Sequence, residues 1–260
     1  KPAHVRRSRR VNDTLHIATY NIHKGLSFFR RRLVIHEVRE HLRLLDADIV
    51  FLQEVQGVSA RSARRFTDWP LEPQHEFIAA SVWTDFAYGR NAVYDGGHYG
   101  NAVLSRFPIV RWDNADISGH RFESRGLLHC EVVPPGWTAP LHCVCVHLGL
   151  IAHHRRRQLR ALRALIERRV PAQAPLIVAG DFNDWARHAH DELARPLALH
   201  EAFQHAHGRH ARSFPAALPV LELDRIYVRG FRVQQARVHH GHAWARVSDH
   251  AALTATLVRT

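Results

Sequence analysis

Asp181, Asn183 and Asp184 come directly after the apolar run Leu176 to Ala179, with only Gly180 and Phe182 interposed. Four apolar residues without polar alternation suit a strand buried on both faces, and such a strand here ends by presenting a carboxylate and an amide at its carboxyl end. Taken singly, these residues also serve ordinary turn chemistry. Similar residues elsewhere change the reading. Asn21, Glu54, His147, Asp224 and the pair Asp249 and His250 stand at or beside the ends of five further apolar stretches. Carboxylates and amides are hard oxygen ligands suited to Mg²⁺ or Mn²⁺. Histidines beside carboxylates can hold or move protons on a phosphate. Arg125 adds a fixed cationic fork. No cysteine pair or His-x-x-x-His helix marks a zinc site, although 23 histidines leave other metal binding open.

The elements that must position these groups follow from periodicity. Residues 14–21 alternate as a strand ending on Asn21, residues 33–45 have a helical period, and Ile49 to Leu52 is a strand running into Gln53 and Glu54. Residues 58–97 show a weaker pattern of aromatic residues among arginines, readable as substrate contact or as loops over a sheet edge. A strand over 99–105 carries Asn101. Strands over 127–133 and 141–146 flank a hairpin turn at Pro134-Pro135-Gly136, and His147 ends the second. A helix is expected over 153–169, its arginines solvated and Arg155 and Gln158 tying it to the sheet. A shorter helix around 192–205, strands over 221–228 and 231–238, and a last strand over 251–258 complete the chain. Strand–helix–strand units mixed with hairpins indicate α/β architecture with antiparallel pieces.

At 260 residues and 46% hydrophobic, the chain can bury a full core, and no apolar run approaches a membrane span. We expect a basic, disordered arm over 1–13 and one domain over 14–260. The charge balance is lopsided: 36 Lys+Arg against 24 Asp+Glu, net +12, nearly all of it arginine. Arginine's planar fork suits phosphate, so a polyanion or an anionic surface is the expected partner. Cys143 and Cys145, two apart in an apolar strand, face the same way and pack as small hydrophobes beside the third cysteine, Cys130. Unpaired cysteines fit a reducing compartment, so the expected location is cytoplasmic, with an export signal ahead of Lys1 left open.

Seven short motifs occur in order: Tyr20-Asn21-Ile22, Gln53-Glu54-Val55, Gly100-Asn101, Val146-His147-Leu148, Gly180-Asp181-Phe182-Asn183, Leu223-Asp224-Arg225-Ile226 and Ser248-Asp249-His250. Each is weak alone; together they resemble the endonuclease/exonuclease/phosphatase superfamily. That superfamily includes DNase I-like nucleases, abasic-site endonucleases, neutral sphingomyelinases and inositol-polyphosphate phosphatases. The resemblance runs from about residue 14 to the end and implies a four-layered α/β sandwich, two mixed β-sheets face to face with flanking helices. It implies that Glu54, with Asn21, binds a divalent metal, Mg²⁺ or Mn²⁺, and that Asp249 serves a second metal position. Asp181 would deprotonate water, Asn183 would hold water or phosphate oxygen, and His250, polarised by Asp224, would act with His147 on the phosphoryl and leaving oxygens. Asn101 and Arg125 would contact phosphate. The chain departs from many abasic-site nucleases at His23, where they carry Asp, and His23 reads as a loop residue. The segments Asp85 to Asn91 and Arg212 to Pro215 look closest to uncharacterised bacterial members.

The leading expectation is a metal-dependent phosphodiesterase acting on nucleic acid, since excess positive charge and scattered aromatics favour a polyanion with stackable bases. The alternatives are a phospholipid- or sphingolipid-type phosphodiesterase, a small phosphomonoesterase, and a catalytically silent polyanion-binding module. An anionic membrane surface would attract the same arginines. Oligomeric state and the identity of the scissile ester are not legible.

Overall fold

The apolar runs Ile49–Leu52 and Leu176–Ala179 demand burial on both faces, and each becomes an inner strand of its own sheet. The computed structural model describes residues 14–27, 29, 31–118 and 124–260; the arm expected over 1–13 lies outside them. One sheet contains β1 (Thr14–Asn21), β2 (Ile49–Ser59), β3 (Asp85–Tyr94), β4 (Gly97–Ser105), β11 (Phe231–His239) and β12 (Ala252–Arg259), in the order β11-β12-β1-β2-β4-β3. The other contains β5 (Ile109–Asp116), β6 (Gly126–Val132), β7 (Leu141–His147), β8 (Leu176–Asp181), β9 (His200–Glu201) and β10 (Asp224–Arg229), in the order β5-β6-β7-β8-β10-β9.

Each sheet is built around one parallel pair. Strands β1 and β2 run parallel with Asn21 opposite Gln53, and β7 and β8 run parallel with His147 opposite Asp181. Parallel neighbours need a long crossover, supplied by α1 (Ile35–Leu44) and α4 (Ala152–Arg169). Every other pairing is antiparallel. Apolar alternation then sets the layers. Ile17, Phe51, Val103, Cys143, Cys145, Ile177 and Leu253 fill the space between the sheets. Ile35, Val38 and Leu42 of α1 cover Val50 and Leu52 on one outer face, and Leu159, Leu162 and Ile166 of α4 cover Val144 and Val178 on the other. The result is the helix–sheet–sheet–helix sandwich expected from the sequence, with all three cysteines buried and unpaired.

Arg155 and Gln158 tie α4 to the loop over 148–151 that follows β7, not to the sheet itself. Both are buried: Arg155 Nη1 donates to the Leu150 carbonyl at 2.8 Å, and Gly149 N donates to Gln158 Oε1 at 2.8 Å. Several expectations need correction. The weakly patterned 58–97 segment contains two short helices, α2 (Ala60–Arg65) and α3 (Gln74–Ala79), and an edge strand, β3. An edge strand, β5, also lies outside the expected elements; with Val110 and Trp112 exposed, no continuous apolar face marks it in the sequence. The helix expected over 192–205 is instead a π-helical turn, His190–Ala194, followed by the short strand β9 and α5 (Ala202–His207). Among the described residues, no helix is long and apolar enough to cross a membrane.

Gly180 is the tightest point of the second sheet. Its φ is +147°, and a methyl group there would lie 2.0 Å from the Val146 carbonyl oxygen on the neighbouring strand. Both facts exclude a side chain at the position that aims Asp181. Gly180→Ala should lose at least about 1–3 kcal/mol of stability, measured by denaturant unfolding; an unchanged midpoint would show that the backbone relaxes freely.

Candidate active site

The two parallel pairs deliver their carboxyl ends to one place, the usual position for ligand chemistry in open α/β sheets. There Asp181 Oδ2 faces three groups. Asn21 Nδ2 donates to it at 3.1 Å across the gap between the sheets, His147 Nε2 lies 3.5 Å away, and His250 Nε2 lies 3.8 Å away. The other oxygen, Oδ1, accepts from the backbone N–H of Asn183 at 3.0 Å. Asn183 has φ +48°, which folds the chain back so that this N–H reaches the carboxylate, and its side chain donates to the Leu148 carbonyl at 2.9 Å.

His250 is held from behind. Its Nδ1 donates to Asp224 Oδ2 at 2.8 Å, and the Ser213 hydroxyl donates to the same oxygen at 2.5 Å. The Ser248 hydroxyl accepts from His250 N at 3.2 Å and donates to the Asn21 carbonyl at 2.7 Å, fixing the last motif to the first. Charge follows geometry. Burial alone would lower the His250 pKa, but Asp224 and then Asp181 outweigh it and hold the imidazolium up to about 10. Burial pushes the Asp181 carboxyl up to about 7, with Asp224 adding to the rise and His250 restraining it. Burial first, then the Arg125 guanidinium, hold His147 well below its ordinary range, so its ring is neutral.

Glu54 occupies a bulge rather than a strand end. Gln53 and Glu54 together oppose the single residue Asn101, because the register of β2 against β4 slips between Leu52 and Val55. Glu54 takes φ +55° there, while Gln53 turns inward toward Cys145. A bulge beside a site re-aims a side chain in this way. Burial would raise the Glu54 pKa, but the Lys24 ammonium, 2.7 Å from Oε2, outweighs it and holds the carboxyl down to about 2. Asp249 is likewise kept low: burial and Glu54 push it up, and His23, whose Nδ1 lies 3.3 Å from Oδ1, with His250 brings it down. Two ionised acids that act on one another offer hard oxygens of the kind a divalent cation takes, and the Asn21 amide oxygen beside them accepts from the His23 backbone N–H at 3.1 Å.

Of the residues read from sequence, Asn21, Glu54, His147, Asp181, Asn183, Asp224, Asp249 and His250 all meet here. Arg125 is near enough to act on His147. Asn101 departs from expectation: its amide donates to the Gly126 carbonyl at 2.9 Å and the Cys145 carbonyl at 3.4 Å, which ties β4 to the opposite sheet and leaves no donor turned to a phosphate. His23, read as a loop residue, pairs with Asp249. Lys24 had no sequence signal, since it does not sit at a strand end, and Ser213 stood only within the Arg212 to Pro215 segment, with no role attached to it. Asp184 is buried and accepts from the backbone of Ala189 at 2.7 Å, so it anchors the chain after β8.

This sandwich, with hard ligands and a charged histidine at its strand ends, defines a metal-dependent phosphoric ester hydrolase. The chain belongs to the endonuclease/exonuclease/phosphatase family, whose profile matches residues 18–250. It is 45% identical over 241 residues to the uncharacterized protein YbhP of Escherichia coli (strain K12), covering 93% of this chain and 95% of that one. An endonuclease/exonuclease/phosphatase from Beutenbergia cavernae superposes with a TM-score of 0.74 at 20% identity, over 95% of this chain and 72% of that one. The mannosyl-6-phosphatase Bt3783 of Bacteroides thetaiotaomicron superposes with a TM-score of 0.68 at 17% identity, over 94% and 99%.

Asp224 sets the charge of His250, so removing its negative charge should lower the His250 pKa. In Asp224→Asn the imidazole, followed by NMR, should lose its proton at a lower pH than in the wild type, where it stays charged above pH 8. Identical titrations would mean that Asp181 alone holds the proton.

Proposed function

We propose that the protein is a Mg²⁺- or Mn²⁺-dependent phosphodiesterase acting on nucleic acid by direct, in-line attack of water. The observation that carries this reading is the buried Asp181 carboxylate, raised toward neutrality between a charged and a neutral histidine. Asp181 takes the proton of the attacking water as the new P–O bond forms, and a base tuned near the working pH does this best. Asn183 positions that water. His250, charged and locked by Asp224 and Ser213, donates to a phosphoryl oxygen; neutral His147 donates a hydrogen bond from its ring N–H to the oxygen that leaves, which takes its proton from solvent. Arg125 faces the phosphate, and Asn101 holds the two sheets in register behind it. Glu54, Asp249 and Asn21 would hold the ion, which when bound neutralises charge on the phosphoryl group. The P–O bond to the leaving oxygen breaks opposite the attacking water, without a covalent intermediate.

Two features support nucleic acid as the substrate class. The net charge of +12 favours a polyanion. A cavity of about 350 Å³ lined by Lys24, Arg61, Arg65, Phe66, Tyr94 and Tyr99 joins the site through Lys24, which contacts both Glu54 and the Tyr99 ring. Cations alternating with aromatic rings suit a phosphate backbone carrying stackable bases.

A panel of plasmid DNA, abasic duplex, single-stranded RNA, anionic phospholipid vesicles and a small phosphomonoester, each with Mg²⁺ or Mn²⁺, tests this. Wild type should cleave a nucleic acid, and Asp181→Ala should be slower by about 10²–10⁴-fold. Turnover confined to lipid or to the monoester would replace the substrate class and keep the mechanism.

A further inference from the structure

The alternation of β6 and β7 places three metal-competent side chains on one patch far from the catalytic centre. Leu128, Cys130 and Val132 of β6 point into the core between the sheets, so Leu127, His129 and Glu131 point outward. On β7, His142 stands directly opposite Glu131 and shares its face with Val144 and Val146. Helix α4 covers Leu127, Val144 and Val146 with Leu159, Leu162 and Ile166, as an outer sheet face requires. Where α4 ends, at Arg168 and Arg169, the covered face turns from apolar to His-His-Glu.

The two imidazoles are buried, 5% and 4% exposed, yet they do not serve the apolar layer. Their nearest ring nitrogens, His129 Nε2 and His142 Nδ1, share a hydrogen bond at 3.0 Å that a bound ion would replace, and a Glu131 carboxylate oxygen lies within 4.8 Å of both. Two nitrogens each about 2.0–2.1 Å from one tetrahedral zinc ion stand about 3.3 Å apart. The ring pair is therefore close to the spacing of one edge of such a site. Burial keeps both rings neutral, the form that coordinates a metal.

We propose that His129, Glu131 and His142 form a second metal site, selective for a borderline divalent transition ion of the Zn²⁺ class and separate from the hard-oxygen catalytic centre. Two imidazoles and a carboxylate are a nitrogen-rich set that Mg²⁺ does not favour and Zn²⁺ does. His129 and Glu131 line a cavity of about 380 Å³, from which water would reach a remaining coordination position. The arginines around that cavity do not close the site. Arg169 is paired with Asp113, Arg168 is exposed, and Arg111 is 78% exposed and reaches Glu131 only at 3.9 Å, a contact that solvent screens. His142 is the second residue of the strand that His147 ends, and five residues at about 3.4 Å each place the two sites roughly 17 Å apart. An ion here would clamp β6 to β7 and so stiffen the strand that carries His147.

The test uses the metal-free full chain, titrated with Zn²⁺ and, for its visible spectrum, with Co²⁺. Binding and thermal midpoint are compared among the wild type, Glu131→Gln, His142→Gln and the catalytic-site variant Glu54→Gln. Wild type and Glu54→Gln should share a tight site with a tetrahedral Co²⁺ spectrum and a Zn²⁺-dependent rise in midpoint. Glu131→Gln and His142→Gln should bind at least about tenfold more weakly and lose that rise. Glu131 is half-buried and its amide is isosteric, so this variant carries the comparison if His142→Gln does not fold. Equal binding by wild type and Glu131→Gln, or loss of the tight site in Glu54→Gln, would overturn the proposal whether or not the chain cleaves nucleic acid.

Discussion

A buried carboxylate placed between two imidazoles is the constraint on which the rest of the site depends. Asp181 is 1% exposed, and an isolated charge at that depth would simply be neutralised. It stays usable because Asn21 and Asn183 supply two N–H donors and because His250 brings a positive charge. That charge persists only because Asp224 stands behind it, and Asp224 is in turn held by Ser213. The chain of contacts spans both sheets and five separate segments of sequence. The sandwich thus does more than support the site: Asn21 from one sheet and Asp181 from the other meet only when the two are packed in register.

The second half of the site solves the opposite electrostatic problem. Glu54 and Asp249 must remain ionised while close together, and Lys24 and His23 are the groups that offset their repulsion. Both lie in the turn after β1, at φ +61° and +45°. Glu54 and Asn183 are also in the left-handed region, at +55° and +48°. Four of the eight described non-glycine residues with positive φ thus lie at the site, where the packing of two sheets can hold them.

Much of this was legible in the sequence because strand ends are legible. Apolar runs such as Leu176–Ala179 identify buried strands, and a polar residue just beyond one is conspicuous; Asn21, His147, Asp181 and His250 were found in that way. The layered architecture was implied by the family resemblance, and the buried runs and interspersed hairpins agreed with it. What escaped depended on backbone geometry or on contacts distant in sequence. Glu54 looked like the end of a strand, whereas a two-for-one bulge opposite Asn101 aims it. Asn101 looked like a phosphate ligand, but its donors are taken by carbonyls of the facing sheet. His23 looked idle until Asp249, 226 positions later, was brought beside it. Ser213 lies in a loop without periodicity, and His129, Glu131 and His142 became a group only once the register of β6 and β7 was known.

The account rests on Asp181 acting as a base whose proton affinity is raised by burial and by Asp224, from an ordinary value of 3.8 to about 7. A base works only when deprotonated, so raising its pKa moves the loss of activity on acidification to higher pH. The most direct measurement is kcat/KM against pH for a chromogenic phosphate diester at saturating Mg²⁺, in wild type and in Asp181→Asn. The wild-type rate should fall on acidification with an apparent pKa well above 3.8, and that limb should be absent from the residual rate of the variant. A wild-type profile flat to the ordinary carboxylate range, or the same limb in both proteins, would contradict the role given to Asp181.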